Sequence, residues 1–206
     1  AESPASSPVP LKRPKYLNLR YNDDFSYLDG EPATYQQDFF DPIKNIHLDE
    51  DWRLSLGGEF RFRLEAETNK AFGATEPAQD TFTLFRYLLH ADVKYRDSVR
   101  IFVQGIAAFD EDRDLPLRVV DENQWDLQQL FVDLRVLGDQ RPLTLRVGRQ
   151  ELQYGNERLV SPLEWVNVRR RFDGVKLFSK GETWDIDVWY VKPVPVQRKQ
   201  RDRFEE

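Results

Sequence analysis

A strict alternation of apolar and charged side chains from Trp52 to Ala66 constrains the fold more than any other feature of this sequence. The segment reads WRLSLGGEFRFRLEA, so that Trp, Leu, Phe, Gly or Ala occupies every second position and mostly Arg, Glu or Ser lies between. Successive side chains of a β-strand point to opposite faces, whereas a helix would spread the arginines around its circumference. The segment therefore predicts a strand with one apolar and one charged face.

Six further segments show the same period and are also predicted to be strands. They cover residues 83–96, 99–109, 126–136, 143–153, 172–179 and 184–192. The alternation loosens near Phe102, Ile106, Trp189 and Val191, where we expect packing inside a lumen or β-bulges.

The connections between these strands alternate strictly in length. Those at 97–98, 137–142 and 180–183 are short, and those at 67–82, 110–125 and 154–171 are long. Outer-membrane β-barrels combine short periplasmic turns with long extracellular loops. The sequence thus predicts an all-β protein, an antiparallel up-and-down transmembrane β-barrel in the outer membrane.

Outward-facing aromatic residues support the same orientation. Trp52, Tyr95 and Trp184 fall at the predicted periplasmic strand ends, where an interfacial girdle would lie. The ordinary preference of aromatic residues for strands is the alternative explanation.

The chain divides into three predicted parts. Residues 1–15, rich in Pro and Ser, predict a disordered N-terminal tail, and residues 16–51 predict an irregular lead-in with room for a short helix or strand. Residues 52–206 predict the N-terminal portion of the barrel. Seven strands do not close a barrel, so we expect a curved open sheet and a barrel incomplete at its C-terminal end.

Composition excludes several functional classes. The chain has 30 Lys and Arg against 36 Asp and Glu, a net charge of -6, which argues against binding to nucleic acid. Cysteine is absent, so disulfides, cysteine zinc sites and thiol nucleophiles are excluded. No apolar run approaches the roughly 18 residues of a membrane-spanning helix.

Catalytic and metal sites are not predicted. Glu59 and Glu65 could imitate a glycosidase pair, but six residues along one strand would separate them by roughly 20 Å. The acidic run from Asp110 to Asp114 could bind Ca²⁺, although a solvated charge run explains it as well. We therefore expect no enzyme activity, cofactor or metal.

Several sequence segments resemble the alginate-export family of outer-membrane proteins. They are GRQELQYGNERLVSPLEWVNVRRRFDG (148–174), RYNDDFSYL (20–28), DPIKNIHL (41–48), LSLGGEFRFRLE (54–65) and DENQWDLQQLFVDL (121–134). The resemblance implies a monomeric porin-class barrel of roughly 16–18 strands, with an arginine-rich lumen that selects an acidic polysaccharide. Outer-membrane lipid and periplasmic export components are its candidate partners.

Ten arginines and two carboxylates are the candidate cargo-binding residues of this lumen. The inward face of the strands is predicted to carry Arg61, Arg63, Arg86, Arg100, Arg135, Arg146, Glu59 and Asp133. Arg149, Arg158, Arg169 and Arg170 are expected at the lumen, in or next to the connection 154–171, which would constrict the pore if it folds inward. Rings of charged side chains select ions in pores, but opposite charges on adjacent strands also pair to avoid isolated charges.

Three functional hypotheses follow. The first is an outer-membrane channel for an anionic, alginate-like polysaccharide or oligosaccharide, and the second is a general or other-solute porin on the same scaffold. The third is a soluble β-sheet protein that binds a ligand. The two porin hypotheses require an exposed apolar band, whereas the third requires the same residues to be buried against another layer.

Overall fold

The computed structural model describes residues 13–32, 35–74, 76–137 and 142–197. Its eight strands form one antiparallel sheet, in which their spatial order is the same as their order in the sequence. The strands are β1 (Ile46–His47), β2 (Trp52–Thr68), β3 (Gln79–Tyr95), β4 (Val99–Glu111), β5 (Asn123–Leu137), β6 (Leu143–Gln150), β7 (Phe172–Lys180) and β8 (Asp185–Pro193). Helices are few and short: α1 (Lys70–Gly73) and 3-10 turns at Arg20–Asn22, Ser26–Asp29 and Asp41–Ile43.

The prediction of an all-β, up-and-down antiparallel architecture is confirmed. All seven predicted strands are present, and the lead-in adds the two-residue strand β1. Strands β2 and β3 extend beyond their predicted ends and pair over 17 residues each, so their connection shortens to residues 69–78. Residues 138–141, at the predicted short turn between β5 and β6, lie outside the described residues.

The two faces of the sheet differ sharply in chemistry. The outward face, defined by residues such as Phe60, Leu89 and Val147, is apolar and exposed: Phe60 and Leu89 are 60% and 59% exposed. The inward face, defined by residues such as Arg86 and Arg146, is charged, and yet both of these arginines are buried. The apolar side chains therefore face the surroundings and the charged ones face protein.

Two segments cover the inward face. The lead-in places Leu19 and Tyr21 against Phe102 and Phe131. The second segment is the connection between β6 and β7, residues 151–171, which we call the inner loop. Its Val168 packs in a second buried cluster that includes Ile106. Packing of these segments on the inward face thus accounts for the loosened alternation at Phe102 and Ile106. Register shifts also interrupt the pairing of β4 with β5.

The sheet is not closed. Among the described residues, β1 and β8 do not pair with each other, which agrees with the open, partial barrel that the strand count predicts. Most of the predicted N-terminal tail and the polar residues 198–206 lie outside the described residues. No described helix is long and apolar enough to span a membrane.

Gly148 on β6 has a backbone conformation that only glycine adopts without strain. Its φ of 129° lies in the left-handed region, and a Cβ at this position would overlap the Leu130 carbonyl oxygen and lie 2.9 Å from the Phe131 Cα atom. Gly105 on β4 is a matched comparison, because a Cβ there would meet only the Asp126 carbonyl oxygen, at 3.7 Å.

We expect Gly148→Ala to lower the free energy of unfolding by about 1–3 kcal/mol, the usual cost of such strain. Gly105→Ala should stay within about 1 kcal/mol of the parent. Urea unfolding of the folded protein measures both changes. Equal stabilities of the two variants would show that the left-handed backbone is not required.

Candidate functional site on the inward face

Most of the predicted cargo-binding residues do lie together on the inward face. Strand pairing places Arg61 opposite Arg86, and it places Asp133 between Arg100 and Arg146. The alternation of each strand positions these side chains, because residues two apart share a face. The same alternation assigns three more of the predicted residues to this face: Arg63, Arg135 and Glu59. Arg169 reaches the face from the inner loop.

Arg86 is the centre of the arrangement. Its side chain is fully buried, and it donates to the Glu59 carboxylate and to Glu164 Oε1, the latter at 2.6 Å. Its other Nη atom donates to the Val166 carbonyl oxygen at 3.1 Å. One guanidinium thus joins a strand carboxylate, a loop carboxylate and the loop backbone, which uses the several donors that arginine offers.

Arg61 and Arg63 bind the backbone of the inner loop. Arg61 donates to the Glu164 carbonyl oxygen at 2.8 Å and to the Val166 carbonyl oxygen at 2.6 Å. Arg63 donates to the Trp165 carbonyl oxygen. These bonds hold the described residues of the inner loop against the inward face of β2.

Arg100 and Arg146 are held by bidentate ion pairs with carboxylates. Arg100 donates to both Asp92 oxygens at 2.7 and 2.9 Å, and Arg146 donates to both Asp133 oxygens at 2.7 and 2.8 Å. Arg146 also lies 4.3 Å from the ring centre of Tyr21. Such fork-shaped pairs are among the strong charge-assisted hydrogen bonds.

The lead-in is bound to the same network by its own polar groups. Arg100 donates to the Tyr21 carbonyl oxygen, and Arg20 donates to Glu59 Oε2 at 2.9 Å. Burial raises the pKa of Tyr21 to about 12. Burial lowers the pKa of Lys44, whose ammonium group donates to the Leu56 carbonyl oxygen at 2.8 Å.

Arg169 connects the inner loop with the lead-in. Its Nε and Nη2 atoms donate to the two Glu151 carboxylate oxygens at 2.8 and 2.6 Å, and Nη2 also donates to the Asn18 carbonyl oxygen at 2.9 Å. The Tyr21 hydroxyl donates to the Glu151 carbonyl oxygen at 2.8 Å. The two covering segments are therefore bound to each other as well as to the sheet.

The structure corrects the assignment of Arg149 to the lumen. Arg149 pairs in register with Leu130 and Asp173, and it shares the outward face with Val147, because Arg146 and Gln150 are the buried inward residues of β6. Its guanidinium donates to both Asp173 oxygens at 2.8 and 2.9 Å.

The other three arginines are less enclosed than the central ones. Arg158 and Arg170 are exposed on the inner loop, and Arg158 borders a recess together with Tyr154 and Trp189. Arg135 lies on the inward face of β5, with its guanidinium 3.8 Å from the Asp97 carboxylate.

Several residues of this site were not predicted from the sequence. Glu164 and Glu151 accept hydrogen bonds from the central arginines. The Asn167 side chain amide donates to the carbonyl oxygens of Phe85 and Asp121 at 3.0 and 2.8 Å. Glu164 could have been predicted from the sequence, because buried arginines need carboxylate partners and Glu164 is the one carboxylate between Arg158 and Asp173. Asn167 gives no such signal.

The arrangement is a wall of paired charges. Among the described residues no group of three or more His, Asp and Glu side chains is placed to hold a metal ion. Most inward carboxylates of the site are engaged by arginine, which makes the wall hydrophilic while its net charge stays small.

Comparison with known proteins gives one finding. A family model described as alginate export matches residues 52–206. No curated protein and no solved structure matches the chain.

We expect the double variant Arg61→Ala, Arg63→Ala to loosen the inner loop. Hydrogen bonds to charged groups contribute about 1.5–3 kcal/mol each, so amides of Val166, Val168 and Arg170 should exchange with deuterium at least about tenfold faster. Arg53→Ala is the control, since Arg53 on the same face of β2 contacts Asp29 instead. Unchanged exchange in the double variant would show that the arginines do not hold the loop.

Proposed function

The chain belongs to the alginate-export family, and we propose that it is an outer-membrane channel passing a hydrophilic, anionic polysaccharide or oligosaccharide through an arginine-lined lumen. The family is a transport family for polysaccharide, and its members are typically outer-membrane channels. On this proposal the protein moves its cargo without chemical change.

The observation that carries the proposal is the separation of chemistry between the faces. Phe60, Phe62 and Leu64 on the outward face of β2 are each more than half exposed, while Arg61 between them is turned to the inward network. A soluble sheet would bury its apolar face, because exposed apolar surface in water is unfavourable. Lipid is the solvent in which this distribution is stable.

Arginine suits an anionic cargo for two reasons. Its planar fork binds a carboxylate through two parallel hydrogen bonds, and it stays charged at any physiological pH. A polyuronate carries one carboxylate per sugar and would meet such groups along the whole wall. The Arg146 pair with Asp133 already demonstrates this geometry within the protein.

A second candidate is a channel of the same scaffold for other solutes. The pairing of Arg86, Arg100 and Arg146 with carboxylates favours it, because a paired guanidinium attracts a passing anion less than a free one. The two candidates share the fold and differ only in selectivity.

Single-channel recording of the full-length protein in planar bilayers tests the proposal. We expect anion-selective channels that oligouronates block and neutral oligosaccharides of equal length do not. In the variant Arg61→Ala, Arg63→Ala the conductance should rise and the uronate block should weaken, because the variant frees the inner loop and removes two cations. Lys192→Ala, which removes one exposed cation elsewhere, should leave both properties unchanged.

The outcomes separate the candidates. Open channels that are indifferent to uronates would retain the channel and exclude the anionic cargo. An absence of conductance would exclude both channel hypotheses and favour a soluble ligand-binding protein.

A further inference from the structure

Cationic side chains collect at the short-turn end of the inward face. Each of three successive hairpins places one there: Lys94 lies just before the turn 96–98, Arg135 lies near the end of β5, and Lys180 is the last residue of β7. In outer-membrane barrels the short turns are periplasmic. These cations therefore lie at the periplasmic mouth if the proposed function holds.

The cations line a recess of about 320 Å³, within the size range of small-ligand sites. Six cationic and two acidic side chains contribute to its wall. The cations are Lys94, Arg96, Arg100, Arg135, Arg146 and Lys180, and the acids are Asp97 and Asp133.

Lys94 and Lys180 are the cations best placed to meet a ligand. The Lys94 side chain is 38% exposed, and its nitrogen lies 3.6 Å from Asp92, a carboxylate that Arg100 already binds at two points. Lys180 is exposed at the end of β7, where its register partner is Asp185. Both ammonium groups thus retain hydrogen-bonding capacity toward the recess.

The uncharged lining suits a sugar. Phe178 offers an aromatic surface, and Asn22 and Thr144 offer an amide and a hydroxyl group. Sugar recognition needs both apolar faces and polar hydrogen-bonding groups, and small-molecule sites combine the two. A recess built only for inorganic ions would not require the aromatic ring.

The opposite end of the inward face has the reverse charge pattern. Near the long connections the strands carry the acidic residues Glu65, Glu67, Asp80 and Asp110. Loop cations offset part of this charge, since Arg113 binds Asp110 and Arg118 binds Glu67. The inward side chains of the strands are therefore more cationic at the short-turn end than at the end with the long connections.

We propose that this recess is a docking site for uronate units of an anionic polysaccharide entering the channel from the periplasm. The inference rests on the proposed function and adds to it an entry site. Lys94 and Lys180 bind the sugar carboxylates there, and the paired arginines deeper in the lumen act only after this first contact. Clustered charge at a pore mouth raises the local concentration of the oppositely charged solute and its rate of entry.

The test compares block from the two sides of the full-length channel. Leu117→Cys, in the exposed connection between β4 and β5, reports the orientation of each channel through an impermeant maleimide. These 206 residues contain no other cysteine, and any cysteine elsewhere in the full-length protein is replaced by serine. Oligouronates are then added to one side at a time, and the rate of block onset is measured in the parent and in Lys94→Gln, Lys180→Gln. The matched control is Lys15→Gln, Lys192→Gln, which removes the same charge from exposed positions outside the recess.

We expect the test variant to lower the onset rate from the periplasmic side about tenfold and to leave the rate from the other side unchanged. The control should behave as the parent on both sides. Equal rates in all three proteins, or an equal loss from both sides, would overturn the docking site while uronate block of the parent keeps the proposed function. A parent channel that uronates do not block would overturn both.

Discussion

A buried charge must have a partner, and this constraint organises the inward side of the protein. An isolated ion in a low-dielectric surrounding is so costly that it is found paired or not at all. Arg86, Arg146, Arg169 and Arg171 are all buried, and each donates to at least one carboxylate. The sheet alone supplies only some of these acceptors. The inner loop and the lead-in supply the rest, as Glu164, Glu151 and backbone carbonyl oxygens.

The same requirement couples the two covering segments. Arg169 binds Glu151 within the inner loop and the Asn18 carbonyl oxygen in the lead-in. Tyr21 packs on Phe102 and Phe131 and also donates its hydroxyl to the backbone of the inner loop. A displacement of either segment would break bonds that the other one uses. On this part of the wall the lead-in and the inner loop therefore form one cooperative lining.

The strands and the character of the site were predictable, whereas the acceptors were not. Period-two alternation identifies the strands because a side chain can reach only one of two faces, and this rule also places Arg61, Arg86 and Arg146 inward. Arg149 was misplaced because its closeness in sequence to the long connection was given more weight than its alternation with Val147. Glu164, Asn167 and Tyr21 act through long-range folding of irregular segments, for which no local period exists.

Paired and exposed cations would have different roles along a transport path. A channel must attract its solute strongly enough to admit it and hold it weakly enough to release it. An unpaired arginine row deep in the lumen would bind successive carboxylates of a polymer at many points and slow its passage. Arg86, whose guanidinium is already occupied by Glu59, would offer each sugar only some of its donors. On the proposed transport path, exposed lysines at one mouth would supply the long-range attraction, since the field of a charge cluster extends over about one Debye length into solution. On the proposed path, a separation of strong attraction at the entrance from weak, balanced contacts inside would follow from which cations the acidic residues occupy and which they leave exposed.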